Sequence, residues 1–328
     1  MKITNPFKNK VYDFSTESFF IMYLNIFQII QEVDLQQYAQ SQETFSSKIP
    51  CNIYFILRRP KVTVDIESVK IKGSKVYFDT LIQDKSKFIP ISIKLEFSKA
   101  KLPISFKCEY PYNLFTITDS DSHLLTAKPG TFLDESYTEK NLEIPLLDYE
   151  ILYIGQAYGK NGERTAIERL MSHSTLQKIY SQSLSYNPDS DISILLTNFS
   201  QLDLLSVNGL AKSNPKNKED DDKRAFEFFK NNGTLFSENQ KINFTEAALI
   251  KYFQPKYNLE FKDSFPSKNH KSYSECYDLN IKSMAIELDT SESQRKIYTE
   301  TSGKKTRHYM DFSFDTREDR FNLLNMIE

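Results

Sequence analysis

Arg169 and His173 stand four residues apart, and Glu246 lies much farther along a chain of 328 residues. Four residues is about one helical turn, so the guanidinium and the imidazole share a helix face. A guanidinium stays protonated at any working pH and can fork onto two phosphoryl oxygens. Glu246 falls on the helical stripe of Leu249, Ile250 and Phe253, which tilts its carboxylate toward a core. An ionised carboxylate there is costly unless a cation or hydrogen bonds meet it. A hard oxygen ligand with open water positions suits Mg2+ or Mn2+. Cutting a phosphodiester needs such parts: charge neutralisation at the phosphoryl oxygens, a metal to orient or acidify water, and a proton acceptor. The other reading of Glu246 is a capping partner for Asn243, three residues earlier.

The elements that must hold these residues begin at Tyr149. Tyr149, Ile151, Tyr153 and Gly155 alternate with Glu150, Leu152 and Ile154, the period of a strand, so Tyr153 faces away from Leu152 and Ile154. Three of the eight glycines, Gly155, Gly159 and Gly162, follow in close succession, marking a loop where backbone bends or approaches a ligand. Thr165 to Glu168 is a capping-box pattern that starts a helix, with Ile167, Leu170 and Met171 on its packed side. Ser190–Asn198 is a third strand of the same small sheet. The glutamate helix runs from Thr245 and ends by Gln254, because Pro255 cannot continue it.

Tyr153-Ile154-Gly155, the following Gln156, the Arg169 and His173 pair, and the block from Thr245 to Asn258 with its Glu, Leu-Ile, Pro and Asn together resemble the GIY-YIG nuclease superfamily. The likeness covers about residues 142–258. It implies a Mg2+-dependent (or Mn2+-dependent) endonuclease that hydrolyses DNA, in restriction, phage defence, mobile elements or repair. It implies Tyr153, Arg169, His173 and Glu246 as catalytic residues, with Tyr153 near the attacking water, Arg169 on the scissile phosphate and Glu246 on one metal ion. Gly155, Gln156, Lys160, Arg164 and Asn258 are the implied substrate-binding set. The superfamily's other signature, a Gly-Ile-Tyr strand one hairpin upstream, is missing from Asn141 to Leu147. Tyr149 does not replace it, since four residues along a strand is roughly 13 Å. The first tyrosine is thus unassigned, and a degraded core kept for binding nucleic acid or protein is the alternative.

Bulk properties allow this reading without selecting it. With 42 Lys and Arg against 44 Asp and Glu the formal net charge is −2, so a DNA binder of this composition must gather its cations into a patch. Arg295, Lys296, Lys304, Lys305, Arg307 and His308, close to Tyr298 and Tyr309, are read as such a patch. Cys51, Cys108 and Cys276 are too scattered for a disulfide framework or a zinc site, which fits a reducing cytoplasm. The most apolar run, Phe19 to Ile30, is broken by Asn25 and Gln28 and is about half of the ~20 residues a membrane span needs. No membrane partner and no signal peptide are expected; an oligomer is open.

The expected fold is α+β and multidomain. Residues 1–140 read as a β-rich domain carrying an amino-terminal helix, Phe14 to Gln40, whose Phe19, Phe20, Tyr23, Phe27 and Ile30 recur at helical spacing. Its strands are expected at Asn52–Leu57, Lys61–Ile71, Lys75–Ile82, Phe88–Phe97, Ile104–Cys108 and Leu114–Thr118, with Arg58 and Arg59 in a solvated turn. The polar stretch Lys128 to Asn141, with its Pro-Gly pair, reads as a boundary. Residues 141–262 form the nuclease-like core, an antiparallel three-stranded sheet flanked by helices, with an insertion around 205–240. Residues 263–328 form a small α/β extension, with strands near Leu279–Leu288 and Tyr309–Phe314 and a last helix Thr316–Ile327.

Overall fold

A computed structural model describes residues 16–35, 49–139, 144–156, 174–207, 238–258 and 281–313, together with a few isolated positions, Leu170 among them. The described chain is mixed α+β and rich in strands, with three α-helices: α1 (Pro129–Glu139), α2 (Ser174–Tyr186) and α3 (Glu238–Phe253).

Its largest element is a seven-stranded sheet built from β1 (Thr16–Gln31), β2 (Ile53–Pro60), β9 (Tyr149–Gln156), β10 (Ser190–Val207), β11 (Ile281–Asp289), β12 (Ile297–Tyr298) and β13 (Arg307–Ser313). The strand order is β12-β9-β2-β10-β1-β11-β13. The β12–β9 and β1–β11 pairs are parallel and the others antiparallel. The sheet therefore takes strands from all three stretches into which the sequence was divided at 140 and 262.

The amino-terminal helix expected from Phe14 to Gln40 is instead strand β1. Its apolar residues satisfy both periods. Phe20 and Met22 pack in a core on one face of the sheet, while Ile30 packs in a core on the other. A strand covered on both faces shows a near-continuous apolar run, which periodicity alone does not separate from a buried helix. The partner β10 decides it, pairing with β1 along its whole length from Thr16 opposite Val207 to Gln31 opposite Ser193.

Each face of the sheet carries its own core. On the first, α3 supplies Ile242, Phe244, Ala248, Leu249, Ile250 and Phe253 against Phe20, Phe55, Leu57 and Ile154. On the second, α2 supplies Leu176 and Ile179 against Tyr54, Ile56, Leu152, Ile194 and Leu196. Between β2 and β9 the chain makes a long excursion with a core of its own. Two three-stranded antiparallel sheets, β3 (Val62–Lys72), β4 (Lys75–Asp84) and β5 (Lys87–Glu96), then β6 (Ser105–Cys108), β7 (Phe115–Thr118) and β8 (His123–Ala127), enclose Phe78, Phe115 and Ile117 with α1. The expected boundary from Lys128 to Asn141 is mostly this helix α1. Pro129 opens it at a position where a missing N–H costs nothing, and Phe132 and Leu133 are buried in the excursion's core. The insertion around 205–240 and the last helix Thr316–Ile327 fall mainly or wholly outside the described residues, as does Cys276.

Candidate functional site

Strand β9 carries Tyr153 and Gly155, and its antiparallel neighbour on the sheet is β2, not a strand one hairpin upstream. The two run antiparallel with Ile56 opposite Tyr153, Phe55 opposite Ile154, Tyr54 opposite Gly155 and Ile53 opposite Gln156. A bulge between Ile56 and Leu57 leaves Leu152 as the extra residue, so Leu152 and Tyr153 both turn toward the second core. That local twist brings the rings of Tyr54 and Tyr153 onto one face, with centroids 6.2 Å apart and planes inclined at 35°. Gly155 lies beneath them. A Cβ there would meet Tyr54 Cζ and Oη at 2.7 Å and Tyr153 Cε1 at 2.8 Å, so the absent side chain is what allows the two phenols to share the spot.

The tyrosine beside Tyr153 is therefore Tyr54, in the run Asn52-Ile53-Tyr54. Sequence reasoning missed it because the strand that carries it lies before the whole excursion 61–148. The signal was present, since Ile53-Tyr54 reproduces the last two residues of the sought Gly-Ile-Tyr triplet. Tyr149 points elsewhere: it is buried in the first core, beneath the Arg59 guanidinium at 4.8 Å from its ring centre, and burial pushes its phenol pKa up.

Glu246 reaches the same strand from the opposite layer. It sits in the interior of α3, which begins at Glu238, so it is not a first-turn capping residue for Asn243. It is 6% exposed, and its Oε1 accepts the backbone N–H of Gln156 at 3.0 Å, the residue after Gly155. Asn258, just beyond α3, is 1% exposed. Its Oδ1 accepts the Ile154 N–H at 2.9 Å and its Nδ2 donates to the Ile154 carbonyl at 2.7 Å. With the Tyr257 N–H donating to Leu152 O at 3.0 Å, it extends the ladder along the edge of β9 that β12 leaves uncovered. Asn258 thus grips the strand that bears Tyr153. Tyr257 packs against the second core and donates its hydroxyl to Gln182 Oε1 at 2.6 Å. Desolvation raises its pKa, with Arg58 opposing and Glu150 adding to the effect, so its phenol stays neutral.

Tyr153, Gly155 and Gln156 thus share one strand, to whose backbone Glu246 and Asn258 are bonded, with the Tyr153 ring on the second-core face and Glu246 reaching in from the first. Lys160, Arg164, Arg169 and His173 lie outside the described residues; Leu170, next in sequence to Arg169, is buried in the core that contains Tyr54. Arg58 and Arg59 are not in a solvated turn but in β2. Arg58 pairs with Glu150 across the strands and Arg59 is buried. Of the expected carboxy-terminal basic patch, Arg295 and His308 are buried, while Lys304, Lys305 and Arg307 are exposed, with Arg307 beside Asp289 and Lys304 beside Asp148.

Among the described residues no group of three or more His, Cys, Asp or Glu could hold a metal. Among the described residues Glu246 is the one carboxylate bonded to this strand end, a donor set that fits one Mg2+ retaining several waters and does not fit a bridged two-metal cluster. Among the described residues no helix is long and apolar enough to cross a membrane. No family model, no curated protein and no solved structure matches the chain.

Proposed function

We propose that the chain is a Mg2+-dependent endonuclease of GIY-YIG type acting on DNA, with Tyr54 completing the tyrosine pair. The observation that carries this reading is the placement of Tyr54 and Tyr153 over Gly155, with Glu246 bound to the next residue of the same strand. Tyr54 stands on a strand distant in sequence, where the resemblance implies a hairpin neighbour.

In this reading Tyr153, the more accessible phenol, orients the attacking water, and the water's proton moves to the phenol oxygen as the phenol's own proton passes on to solvent. Tyr54, with 0% exposure, fixes the Tyr153 ring from behind. Arg169 forks onto the scissile phosphate and His173, four residues later in the sequence, assists proton transfer. Gly155 and Gln156 form the backbone at the phosphate, Lys160 and Arg164 add positive charge, and Asn258 holds the strand. Glu246 would hold the metal, which supplies charge neutralisation at the phosphate.

Nicking of a supercoiled plasmid with and without Mg2+ tests the proposal. Wild type nicks only with the metal. Tyr153→Phe and Glu246→Gln each slow the reaction by about 100-fold or more, the effect of removing one preorganised catalytic contact, while DNA binding persists. Equal nicking by wild type and Glu246→Gln refutes the site.

A second reading, a core that binds nucleic acid without cutting it, is favoured by the deep burial of Tyr54 and Glu246. Salt-dependent DNA binding by a wild type that never nicks would select it.

A further inference from the structure

We infer that the chain has a second ligand site, distinct from the tyrosine pair, that takes a small organic anion. It is a cavity of about 500 Å³ on the first face of the sheet, between the ends of β1, β2 and β9 and the helix α1. That size is within the range of small-molecule pockets. Tyr149 lines it, at the end of β9 opposite Gln156, so roughly 23 Å of strand separates it from the Glu246 contact.

Its floor holds two buried guanidiniums and one carboxylate. Arg59 Nη1 binds Asp134 Oδ2 at 2.6 Å, and Arg295 Nε binds Asp134 Oδ1 at 2.7 Å. Arg59 is 3% exposed and Arg295 2%. One carboxylate cannot neutralise both, so the triad retains a positive charge out of water, where an unmatched ion is costly. Arg295 also spends one nitrogen on a 3.5 Å contact with the Ile144 carbonyl, and its Nη2 has no hydrogen-bond partner among the described residues. The next acid toward Arg59, Asp191, acts on Arg59 too, but it is shared with Lys61 and Lys128 and makes no hydrogen bond to either arginine of the triad among the described residues. Glu135 and Glu292 line the cavity as well, but they are exposed, where solvent and salt screen them.

The rest of the wall is suited to an organic body. Phe27 and Ile29 from β1 and the Tyr149 ring offer apolar surface, and Ser193 a hydroxyl. A carboxylate or phosphate group on a compact apolar body complements this lining: the anion balances the two arginines, and the body covers Phe27 and Ile29. A neutral molecule of the same shape leaves the charge unmatched.

Calorimetric titration of the full chain with benzoate, phenyl phosphate and the neutral benzyl alcohol tests the inference. At least one of the two anions binds with a dissociation constant below 1 mM, at least tenfold tighter than benzyl alcohol, and which of the two binds better tells carboxylate from phosphate. Arg295→Gln weakens that binding at least tenfold. Because removing a buried arginine can unfold the chain, Thr131→Trp, an exposed position of α1 at the cavity wall, blocks the space without touching the triad; with unchanged thermal stability it also loses the anion. Absence of binding by both anions at 10 mM, equal binding of benzyl alcohol, or unaltered binding by Thr131→Trp overturns the proposal.

Discussion

Gly155→Ala separates a true tyrosine pair from two unrelated tyrosines. The added methyl would lie 2.7 Å from Tyr54 Cζ and Oη and 2.8 Å from Tyr153 Cε1, against the 3.5–4.0 Å at which carbon atoms rest. Roughly 1 Å must be recovered. Tyr54 is fully buried between strand and helix, so its ring has little freedom to retreat. Overpacking of this kind costs about 1–3 kcal/mol, and we expect about 2 kcal/mol in urea unfolding, as a lower midpoint with an unchanged slope. Tyr54→Leu removes the atoms that collide, so Gly155→Ala should cost about 1 kcal/mol less in that background. Tyr54→Phe should give no such relief, because Cζ stays in place. The difference is a coupling energy, which a double-mutant cycle isolates. A Gly155→Ala cost below about 0.5 kcal/mol, or the same cost with and without Tyr54, would mean that the two rings do not meet over this residue.

Two further outcomes follow from neighbouring groups. Asn258→Ala removes both side-chain bonds to the Ile154 backbone and leaves a buried N–H and carbonyl unmet; it should destabilise by about 2–4 kcal/mol and slow any nicking, and a loss under 0.5 kcal/mol would show that β9 is held otherwise. The His308 imidazole is held below its ordinary pKa by burial, with Lys305 adding to the effect and the hydrogen bond to Ile297 O opposing it. The folded chain therefore takes up that proton less readily than the unfolded one, so its contribution to stability is complete above pH ~6.5 and is lost as pH falls below that value. Wild type should lose more stability between pH 7 and pH 5 than His308→Gln, and identical slopes would refute the assignment.

Local pattern made the strands of the excursion readable. Ile91, Ile93 and Leu95 alternate with Ser92, Lys94 and Glu96, and these residues lie in β5. The strand of Tyr153 and the later part of the glutamate helix were readable for the same reason, although α3 starts seven residues before the expected Thr245. What local pattern does not carry is pairing. Tyr54 acquires its place only through the register of β2 against β9, and β1 is a strand through its pairing with β10 and β11. Charge misled in the same way: Arg295 looks like a surface cation until Asp134, far away in sequence, is set against it.

The excursion 61–148 leaves β2 and returns to the strand beside it, where Arg58 and Glu150 are paired across the gap. Topologically it is a hairpin loop that has grown a folded body of its own. The entropic cost of closing such a loop rises only with the logarithm of its length, about 0.6 kcal/mol for each doubling, so very different lengths of chain can hang from these two strands while Tyr54 and Tyr153 keep their register. The spacing between the two tyrosines along the chain is therefore a poor guide to whether they belong together, and a search for related chains should let that spacing float.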